Sequence, residues 1–355
     1  MNDKAYLVLQ NGTIFEGTRF GARGDVTAEL VFTTGMTGYL ETLTDPSYHG
    51  QIVLQTFPHI GNYGVIPADF ESKAPALTAY VVHELCAVPS NFRSEGPLGP
   101  WLEKQGVVGL AGIDTRAVTR QLRECGVMNA SILSEPPADL EAYCASLAQK
   151  KLGSDVYAVT GGAPAVLNPS GEKRVVLWDF GAKAAMGEKL AARGCEVVSL
   201  PATADAKALL ALHPDGVLLS NGPGDPAAYA EIIQNVAQVA QSGVPMFGIC
   251  LGHQLLALAR GAKSGKLKYG HRGANQPVRE TATGKLYITS QNHGYAIEPE
   301  TLPPAARMSY ENLNDGTCEG VDYTDIPAFS VQFHPEACAG PLDTDFLFDR
   351  FVAML

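Results

Sequence analysis

The chain has little positive charge, no long apolar run and no paired-cysteine motif, and each absence excludes a class of protein. It carries 26 Lys and Arg against 37 Asp and Glu, a formal net charge of −11, which argues against binding to nucleic acid or to an anionic membrane. No apolar run approaches the roughly 20 residues needed to cross a bilayer. The start, Met1-Asn2-Asp3-Lys4, lacks the basic and apolar stretches of a secretory signal, so we expect a cytoplasmic location. Seven cysteines without a CxxC pair predict neither a disulfide framework nor a metal site.

The length and the distribution of glycine and proline predict two domains. The 355 residues are enough for two separate cores. Hydrophobic residues make up 46% of the chain and charged residues 18%, which is a globular composition. Glycine and proline gather between 156 and 172. We therefore predict an N-terminal domain at 1–152, a linker at 153–172 and a C-terminal domain at 173–355.

The first domain is predicted to be a β-rich α+β domain. Short apolar runs alternate with turns rich in Gly, Pro and Asn. The domain opens with a hairpin, for which Asn11-Gly12 predicts a type I′ turn. Asp114 or Thr115 is expected to cap a helix that runs to about Glu124, with Gly126 just after its end.

The second domain is predicted to be α/β. Apolar strands at 175–178, 197–200, 216–219 and 245–249 alternate with segments of helical pattern. Strands and helices at this spacing form an open, mostly parallel sheet with helices on both faces.

A cysteine between two glycines is the candidate nucleophile. Gly248-Ile249-Cys250-Leu251-Gly252 has the pattern of a nucleophile elbow, with Cys in place of Ser, after an apolar strand and before an apolar helical run. The elbow places the sulfur at the carboxyl edge of the sheet and at a helix N-terminus, where a thiolate is stabilised. The cysteines without this setting are interpreted as small hydrophobes: Cys86, Cys125, Cys144, Cys195 and Cys318.

His334 and Glu336 are the candidate partners of the sulfur. A strand at 329–333 leads into His334-Pro335-Glu336. Residues two apart on an extended chain face the same side, so imidazole and carboxylate can meet. His334 would take the thiol proton and return it to the leaving group, and Glu336 would orient the ring. A His near a Glu, seen alone, is more often a surface pair.

A glycine-rich loop is the candidate oxyanion site. Asn221 to Pro226 follows a strand and precedes a helix, and its glycines allow backbone amides to come close to a ligand. The N–H of Leu251, after the nucleophile, is a second candidate donor. Such loops are most often only turns, and this one lacks the Lys-Ser/Thr of a phosphate-binding loop.

Four motifs together resemble those of class I glutamine amidotransferase domains, over roughly 174–355. They occur in order at Ser220–Pro226, Gly248–Gln254, Ser290–Tyr295 and Gln332–Glu336. The resemblance implies the fold of that class, an open sheet with helices on both faces.

Four motifs in the first half resemble the N-terminal domain of the carbamoyl-phosphate synthase small-subunit family. They lie at Thr33–Tyr39, Leu43–Tyr48, Pro58–Gly64 and Gly112–Arg116. Class I amidotransferases that serve anthranilate or GMP synthesis do not carry this domain. The resemblance therefore covers essentially the whole chain.

The resemblance implies a glutaminase subunit. It would hydrolyse L-glutamine to glutamate and ammonia through a thioester on Cys250, with His334 as base and acid and Glu336 completing the triad. The resemblance also implies a glutamine-binding set formed by backbone at Gly222, Gly224, Leu251 and Gly294 and by the side chains of Ser47, Gln254, Asn292 and Tyr295.

The partner and the cofactors are also implied by the resemblance. Ammonia would pass to a large synthetase subunit, in a heterodimer or a higher oligomer, for carbamoyl phosphate synthesis in the arginine and pyrimidine pathways. ATP and Mg²⁺ would belong to that partner, and no cofactor or metal is expected in this chain. Neither nucleic acid nor membrane is expected as a partner.

Three histidines and one cysteine near these motifs are judged separately. His253 follows the nucleophile by three positions and is interpreted as structural, and His271 as a loop residue. His293 is a candidate for lining the glutamine pocket, outside the catalytic set. Cys338 is interpreted as inert, with a second oxidisable thiol as the alternative.

Two other functions stay open. A pseudoenzyme could keep the fold and only regulate a synthetase, although the complete Cys250, His334 and Glu336 set argues against it. A stand-alone amidase or cysteine peptidase could use the same architecture, although it would have no need of the first domain. Release of glutamate, and its dependence on a large partner, separates these hypotheses.

Overall fold

The computed structural model describes residues 3–150, 153, 155–337 and 339–355. The chain divides into two compact units, 1–154 and 155–355. The division falls inside the segment 153–172 that the sequence predicts as a linker. Among the described residues, no helix is long and apolar enough to span a bilayer.

The first unit is a barrel with helices around it. Its strands are β1 Lys4–Leu9, β2 Ile14–Gly21, β3 Val26–Thr33, β4 Gln51–Gln55, β5 His59–Ile60, β6 Ala79–Val81, β7 Glu84–Leu85, β8 Val108–Ala111 and β9 Met128–Leu133. Its helices are α1 Tyr39–Thr44, α2 Leu98–Lys104, α3 Thr115–Cys125 and α4 Leu140–Gln149. Seven strands close in the order β1-β2-β8-β6-β4-β3-β9, and β5 and β7 form a separate pair. Parallel and antiparallel pairs both occur in the barrel.

The predicted hairpin is present, but its predicted turn type is wrong. Strands β1 and β2 pair with Val8 opposite Ile14. The N–H of Gly12 donates to the carbonyl of Leu9 at 2.9 Å, so Gln10 and Asn11 are the central residues of the turn. Gly12 follows in the left-handed region with φ of 88°, whereas a type I′ turn needs positive φ at both central residues. Asn11 instead uses its side-chain oxygen to accept from the N–H of Thr13.

The predicted helix in the first unit, α3, has the expected ends. Asp114 accepts a hydrogen bond from the N–H of Ala117 at 2.9 Å and caps the first turn. Gly126 follows Cys125 with φ of 95°, and its N–H donates to the carbonyl of Leu122.

The second unit alternates strands and helices and then continues as antiparallel strands. The strands are β10 Ala165–Leu167, β11 Lys173–Asp179, β12 Cys195–Pro201, β13 Gly216–Leu219, β14 Met246–Ile249, β15 Ser264–Glu280, β16 Leu286–Ile297, β17 Ala306–Asn312, β18 Cys318–Tyr323 and β19 Ala328–Val331. The helices are α5 Val156–Val159, α6 Ala184–Ala191, α7 Ala206–Leu210, α8 Ala230–Gln241, α9 Leu251–Ala259 and α10 Phe346–Val352.

Among the residues described, one sheet of ten strands forms the centre of the second unit. Its order is β10-β12-β11-β13-β14-β19-β18-β16-β15-β17. The neighbours β12, β11, β13, β14 and β19 are parallel, and the first four of these strands are joined through helices as parallel strands require. Alternate residues of β11 enter two different cores: Val176 and Trp178 pack with α8 and α9, and Val175 and Leu177 pack with α6 and α10. Helices therefore cover both faces of the parallel part, as predicted.

The antiparallel part of the sheet was not predicted. The long hairpin of β15 and β16 extends the sheet beyond β19 through β18. At the opposite edge, β10 pairs antiparallel with β12, so the predicted linker contains the first strand of this sheet. Leu167 is 44% exposed, which explains why β10 shows no core-like pattern in the sequence.

Candidate active site

Cys250 lies at a strained bend between β14 and α9. It has φ of 55° and ψ of −106°, a region that L residues rarely adopt and that costs on the order of 1–3 kcal/mol. The surrounding hydrogen bonds hold it there. Its own N–H donates to the carbonyl of Val331 at 2.9 Å, and its carbonyl accepts from the N–H of Gln254 at 3.2 Å. Cys250 as a whole is 2% exposed. The predicted elbow is therefore present in the fold.

Gly252 is required by the packing of the elbow on the neighbouring strand. A Cβ at this position would lie 2.2 Å from the carbonyl oxygen of Leu219, far inside van der Waals contact. The same close approach lets the N–H of Gly252 donate to the carbonyl of Ser220 at 2.9 Å. Leu251, the first residue of α9, has no intrahelical acceptor for its N–H. This is the amide that we expect to serve a developing oxyanion.

His334 and Glu336 lie beside the elbow because β19 is the parallel neighbour of β14. Ile249 pairs with Val331, so the segments that follow these two strands leave the same edge of the sheet. His334 Nδ1 lies 2.6 Å from Glu336 Oε1, and both side chains are almost fully buried. His334 Nε2 has no hydrogen-bond partner among the described residues. It is the nitrogen left for the thiol, and such bonds often tighten only when substrate binds.

Neighbouring charges control the protonation of this pair. Burial and the Lys183 ammonium lower the pKa of His334, but the Glu336 carboxylate and Cys250 raise it more strongly, to about 10. Burial raises the pKa of Glu336, and His334 and Lys183 lower it more strongly, to about 2. An ionised carboxylate at Nδ1 keeps the proton on that nitrogen and directs Nε2 to the nucleophile. The arrangement suits a thiol that passes its proton to an imidazole.

Lys183 is a site residue that the sequence analysis missed. Its Nζ lies 3.3 Å from Glu336 Oε1 and 3.4 Å from His334 Nδ1, and its side chain is only 9% exposed. It ends the loop after β11, whose Asp179 accepts from the N–H groups of Gly181 and Ala182. A lysine just beyond the carboxyl end of an inner parallel strand was the available signal, because ligand sites gather at that edge.

The predicted oxyanion loop lies at the same edge of the sheet. Asn221 Oδ1 accepts from the N–H of Lys183 at 3.1 Å, which joins the loop after β13 to the loop after β11. A Cβ at Gly222 would lie 2.3 Å from the carbonyl oxygen of Phe180, so only glycine fits. Gly224 has φ of 96°. The side chain of Asn221 thus holds the loop close to Lys183.

Strand β16 carries the other predicted glutamine ligands in this unit. The Cys250 thiol approaches the carbonyl oxygen of Asn292 at 3.6 Å. Gln254 donates to the carbonyl of Tyr295 at 2.8 Å and to Gln332 Oε1 at 2.9 Å. Gly294 lies between Asn292 and Tyr295 on β16. The structure therefore brings the elbow and the 292–295 segment together.

Two predictions concern residues elsewhere. Ser47 belongs to the first unit, where its N–H is held by Asp45 Oδ1 at 2.9 Å and its side chain is buried. Its part in glutamine binding stays a prediction. Cys338 lies outside the described residues.

The remaining histidines are placed as follows. His253 is fully buried, its Nδ1 lies 2.8 Å from Ser330 Oγ, and burial lowers its pKa to about 3. It therefore has a structural setting. The prediction that His271 is a loop residue is wrong, because it lies in β15 with 7% exposure and contacts Asp315 Oδ2 at 2.8 Å. His293 packs edge-on against His271 with ring centroids 4.9 Å apart.

Comparison with known proteins gives a consistent result for both units. The family model for the carbamoyl-phosphate synthase small chain, CPSase domain, matches residues 7–132. The model for class-I glutamine amidotransferase matches residues 176–354. A carbamoyl phosphate synthase small chain from Symbiobacterium thermophilum is 49% identical over 354 residues, 98% of this chain and 97% of that one.

The chain belongs to the carbamoyl phosphate synthase small chain family.

Other members of the family match over the same extent. The carbamoyl phosphate synthase small chain of Akkermansia muciniphila is 46% identical and covers 99% of this chain and 97% of its own. The carbamoyl phosphate synthase small chain of Bacillus cereus is 48% identical, over 99% of this chain and 96% of its own length. The family predicted from the two sets of motifs is therefore confirmed. Within this member of the family, the class I amidotransferase domain contains Cys250, His334, Glu336 and Lys183.

Proposed function

We propose that this chain is the glutaminase subunit of a glutamine-hydrolysing carbamoyl phosphate synthase and that Cys250 is its nucleophile. One observation carries the proposal. A buried cysteine in a strained elbow lies beside a histidine whose other nitrogen is 2.6 Å from a carboxylate. Nucleophile, base and orienting group are the parts that acyl transfer needs.

The first half of the proposed reaction acylates Cys250. His334 Nε2 takes the thiol proton, and sulfur attacks the carbonyl carbon of the glutamine side-chain amide. The N–H of Leu251 and the backbone of Gly222 and Gly224 stabilise the oxyanion. His334 then returns its proton to the amide nitrogen as the carbon–nitrogen bond breaks. Ammonia leaves, and a γ-glutamyl thioester stays on Cys250.

The second half regenerates the thiol. A water molecule gives one proton to His334 and attacks the thioester carbonyl carbon from the same side. Collapse of this intermediate breaks the carbon–sulfur bond, and sulfur recovers its proton from His334. Glutamine and water thus yield glutamate and ammonia. Lys183 keeps Glu336 ionised through the cycle, because its ammonium is among the groups that lower the pKa of that carboxyl.

Ammonia is proposed to pass to a large synthetase subunit. The relatives that match along nearly their full length are named small chains, and such a name supports a larger partner. ATP and Mg²⁺ are assigned to that partner, which would form carbamoyl phosphate for arginine and pyrimidine synthesis. Ser47 and the second-unit residues Gln254, Asn292, Gly294 and Tyr295 are proposed to hold glutamine in this chain.

Glutamate release tests the proposal and its two alternatives. The purified chain is assayed for glutamate formation from glutamine, alone and with a large carbamoyl phosphate synthase chain. We expect slow hydrolysis alone and faster hydrolysis in the complex. Absence of glutamate under both conditions would favour a pseudoenzyme. Fast hydrolysis that ignores the large chain would favour a stand-alone amidase.

A further inference from the structure

A second cluster of chemically active side chains lies on three adjacent strands of the sheet. His271 on β15 is directly opposite His293 on β16, and Glu319 lies on β18, which pairs with β16. One ligand atom from each of the three lies within 4.8 Å of the others. Their exposures are 7%, 5% and 0%. Strands hold these side chains more firmly than loops would.

The ring of His271 is oriented by a carboxylate. Its Nε2 donates to Asp315 Oδ2 at 2.8 Å, and Asp315 also accepts from the N–H and the hydroxyl of Thr317. Asp315 therefore holds a proton on Nε2. Nδ1 faces Glu319 Oε1 at 3.3 Å, so a metal ion bound between them would take the place of a proton on Nδ1. A carboxylate behind a histidine is the common support of a metal-binding imidazole.

The ring of His293 is oriented by a backbone carbonyl. Its Nδ1 donates to the carbonyl oxygen of Tyr295 at 2.8 Å, which leaves the lone pair on Nε2. That nitrogen lies 3.2 Å from Gln291 Oε1 and 4.0 Å from Glu319 Oε1. With its hydrogen on Nδ1, the ring has no hydrogen on Nε2 to donate to these two oxygens. The three atoms therefore face one another without a hydrogen bond between them.

The amide of Gln291 is fixed by its own contacts. The hydroxyl of Thr289 donates to the carbonyl of Gln276 at 2.9 Å and can therefore only accept from Gln291. The amide nitrogen of Gln291 is therefore the donor to Thr289 Oγ1, at 3.1 Å. The oxygen of Gln291 is consequently turned to His293, and a flipped amide would lose the bond to Thr289.

Glu319 completes a set of converging electron pairs. Its Oε1 accepts from Asn312 Nδ2 at 3.1 Å, and Thr317 Oγ1, whose hydrogen points to Asp315, lies 3.3 Å from it. Asn312 Nδ2 is also 3.4 Å from His271 Nδ1. Its Oε2 is buried without a hydrogen-bond partner among the described residues. A fully buried carboxylate oxygen without a partner is costly unless a cation neutralises it.

We propose that His271 Nδ1, His293 Nε2 and the Glu319 carboxylate bind a divalent first-row transition metal ion, with Gln291 Oε1 as the fourth ligand. Two imidazoles and two oxygens suit Zn²⁺, which prefers a tetrahedral set of N and O donors at about 2.0–2.2 Å. Such bonds place neighbouring donors roughly 3.4 Å apart. The donor separations in this cluster are close to that value: 3.2 Å from His293 Nε2 to Gln291 Oε1, 3.3 Å from His271 Nδ1 to Glu319 Oε1 and 4.0 Å from His293 Nε2 to Glu319 Oε1.

The proposed ion has a structural role. It would join β15, β16 and β18 at His293, within the 292–295 segment, and no step of glutamine hydrolysis depends on it. The site was not visible in the sequence, where no short motif links the four ligands and where we expected no metal. Only the pairing of three strands brings them together. Asp315, whose side chain is 42% exposed, leads from the cluster to solvent.

Metal binding by the full-length chain tests the proposal. The chain is stripped with a chelator, dialysed, and titrated with Zn²⁺ in competition with a chromogenic chelator. We expect one ion per chain. His271→Ala and Glu319→Ala each remove a ligand and should weaken binding at least about 100-fold, and Asp315→Asn should weaken it about 10-fold. His213→Asn is the matched control, because His213 is an exposed histidine at φ of 50° where asparagine is tolerated.

The visible spectrum with Co²⁺ gives a second readout that needs no variant. Tetrahedral cobalt with N and O ligands absorbs strongly in the visible range, and thiolate ligation adds an intense charge-transfer band in the near ultraviolet. We expect the first feature without the second. The proposal is overturned if the unmodified chain binds no stoichiometric ion, if the ligand variants bind as tightly as His213→Asn, or if the thiolate band shows that cysteines hold the metal.

Discussion

Lys183 Nζ and Glu336 Oε1 lie 3.3 Å apart in the second unit. The ammonium competes with His334 for the same carboxylate oxygen, since Nδ1 of the ring is 2.6 Å from it. Lys183 therefore acts on both partners. It lowers the pKa of the carboxyl and also lowers that of the imidazole.

Replacing Lys183 by Met is expected to shift the pH dependence of glutaminase activity. The loss of the ammonium removes an influence that lowers the pKa of His334, so that pKa should rise. The limb of the kcat/KM profile that requires neutral His334 should move to higher pH, and the rate at neutral pH should fall about 10- to 100-fold. Lys189→Met is the control, because Lys189 pairs with Asp345 away from the site. An unchanged pH profile would show that Lys183 does not influence the protonation of His334.

Glu336→Gln should leave the elbow in place but disorient the imidazole. The amide can keep a hydrogen bond to Nδ1, but it does not stabilise imidazolium. We expect glutamine hydrolysis to fall by roughly 10²- to 10⁴-fold with little change in KM. Steady-state kinetics on the complex give both parameters. A variant with near-normal kcat would show that Glu336 only fills space.

Gly252→Ala tests the packing of the elbow. The added methyl would lie 2.2 Å from the carbonyl oxygen of Leu219, and neither backbone can move without displacing β13 or α9. We expect a loss of at least about 2 kcal/mol in the free energy of unfolding. Gly162→Ala is the control, because a Cβ there meets nothing within 4 Å. Equal stability of the two variants in urea unfolding would contradict the described close approach.

His253 should make the second unit less stable in acid. Burial lowers its pKa from 6.5 to about 3, so the unfolded chain binds a proton more readily than the folded one between these values. Above the unfolded pKa the ring is neutral in both states, and His253 costs no stability. As pH falls toward the folded pKa, the unfolded chain takes up a proton and the free energy of unfolding decreases. At pH about 5 the loss is about 2 kcal/mol.

His253→Asn removes this proton uptake and keeps a polar group for Ser330. The difference in unfolding free energy between pH about 7.5 and about 5 should shrink by about 2 kcal/mol. Trp178 lies in the core of the second unit, and Trp101→Phe removes the other tryptophan of the chain. Urea unfolding followed by Trp178 fluorescence then reports on the second unit alone. The same pH difference in both proteins would exclude His253 as its source.

The sequence was informative where chemistry depends on neighbours in the chain. The elbow glycines, the strand before Cys250 and the two-residue spacing of His334 and Glu336 are local features, and the fold places them as expected. The parallel pairing of β11, β12, β13 and β14 follows from the alternation of strands and helices in the same way.

Features that depend on distant strands were missed. Lys183 reaches the site from a loop more than a hundred residues before Glu336, and its local signal, a position just after the carboxyl end of β11, does not say which groups it meets. His271 was misjudged because its burial comes from pairing with β16 and from Asp315 and Glu319. The type of turn before Gly12 depended on Asn11. Its backbone does not take the positive φ of a type I′ turn, and its side chain instead accepts a hydrogen bond from the N–H of Thr13.

Substitution of Cys250 by Ser, measured with both nitrogen sources, tests the central claim most directly. The variant and a Cys125→Ser control, at an exposed cysteine, are combined with a large synthetase chain and assayed for carbamoyl phosphate. We predict that synthesis from glutamine falls at least about 10³-fold in Cys250→Ser while synthesis from free ammonia survives. Near-normal use of glutamine by that variant would show that Cys250 is not the nucleophile.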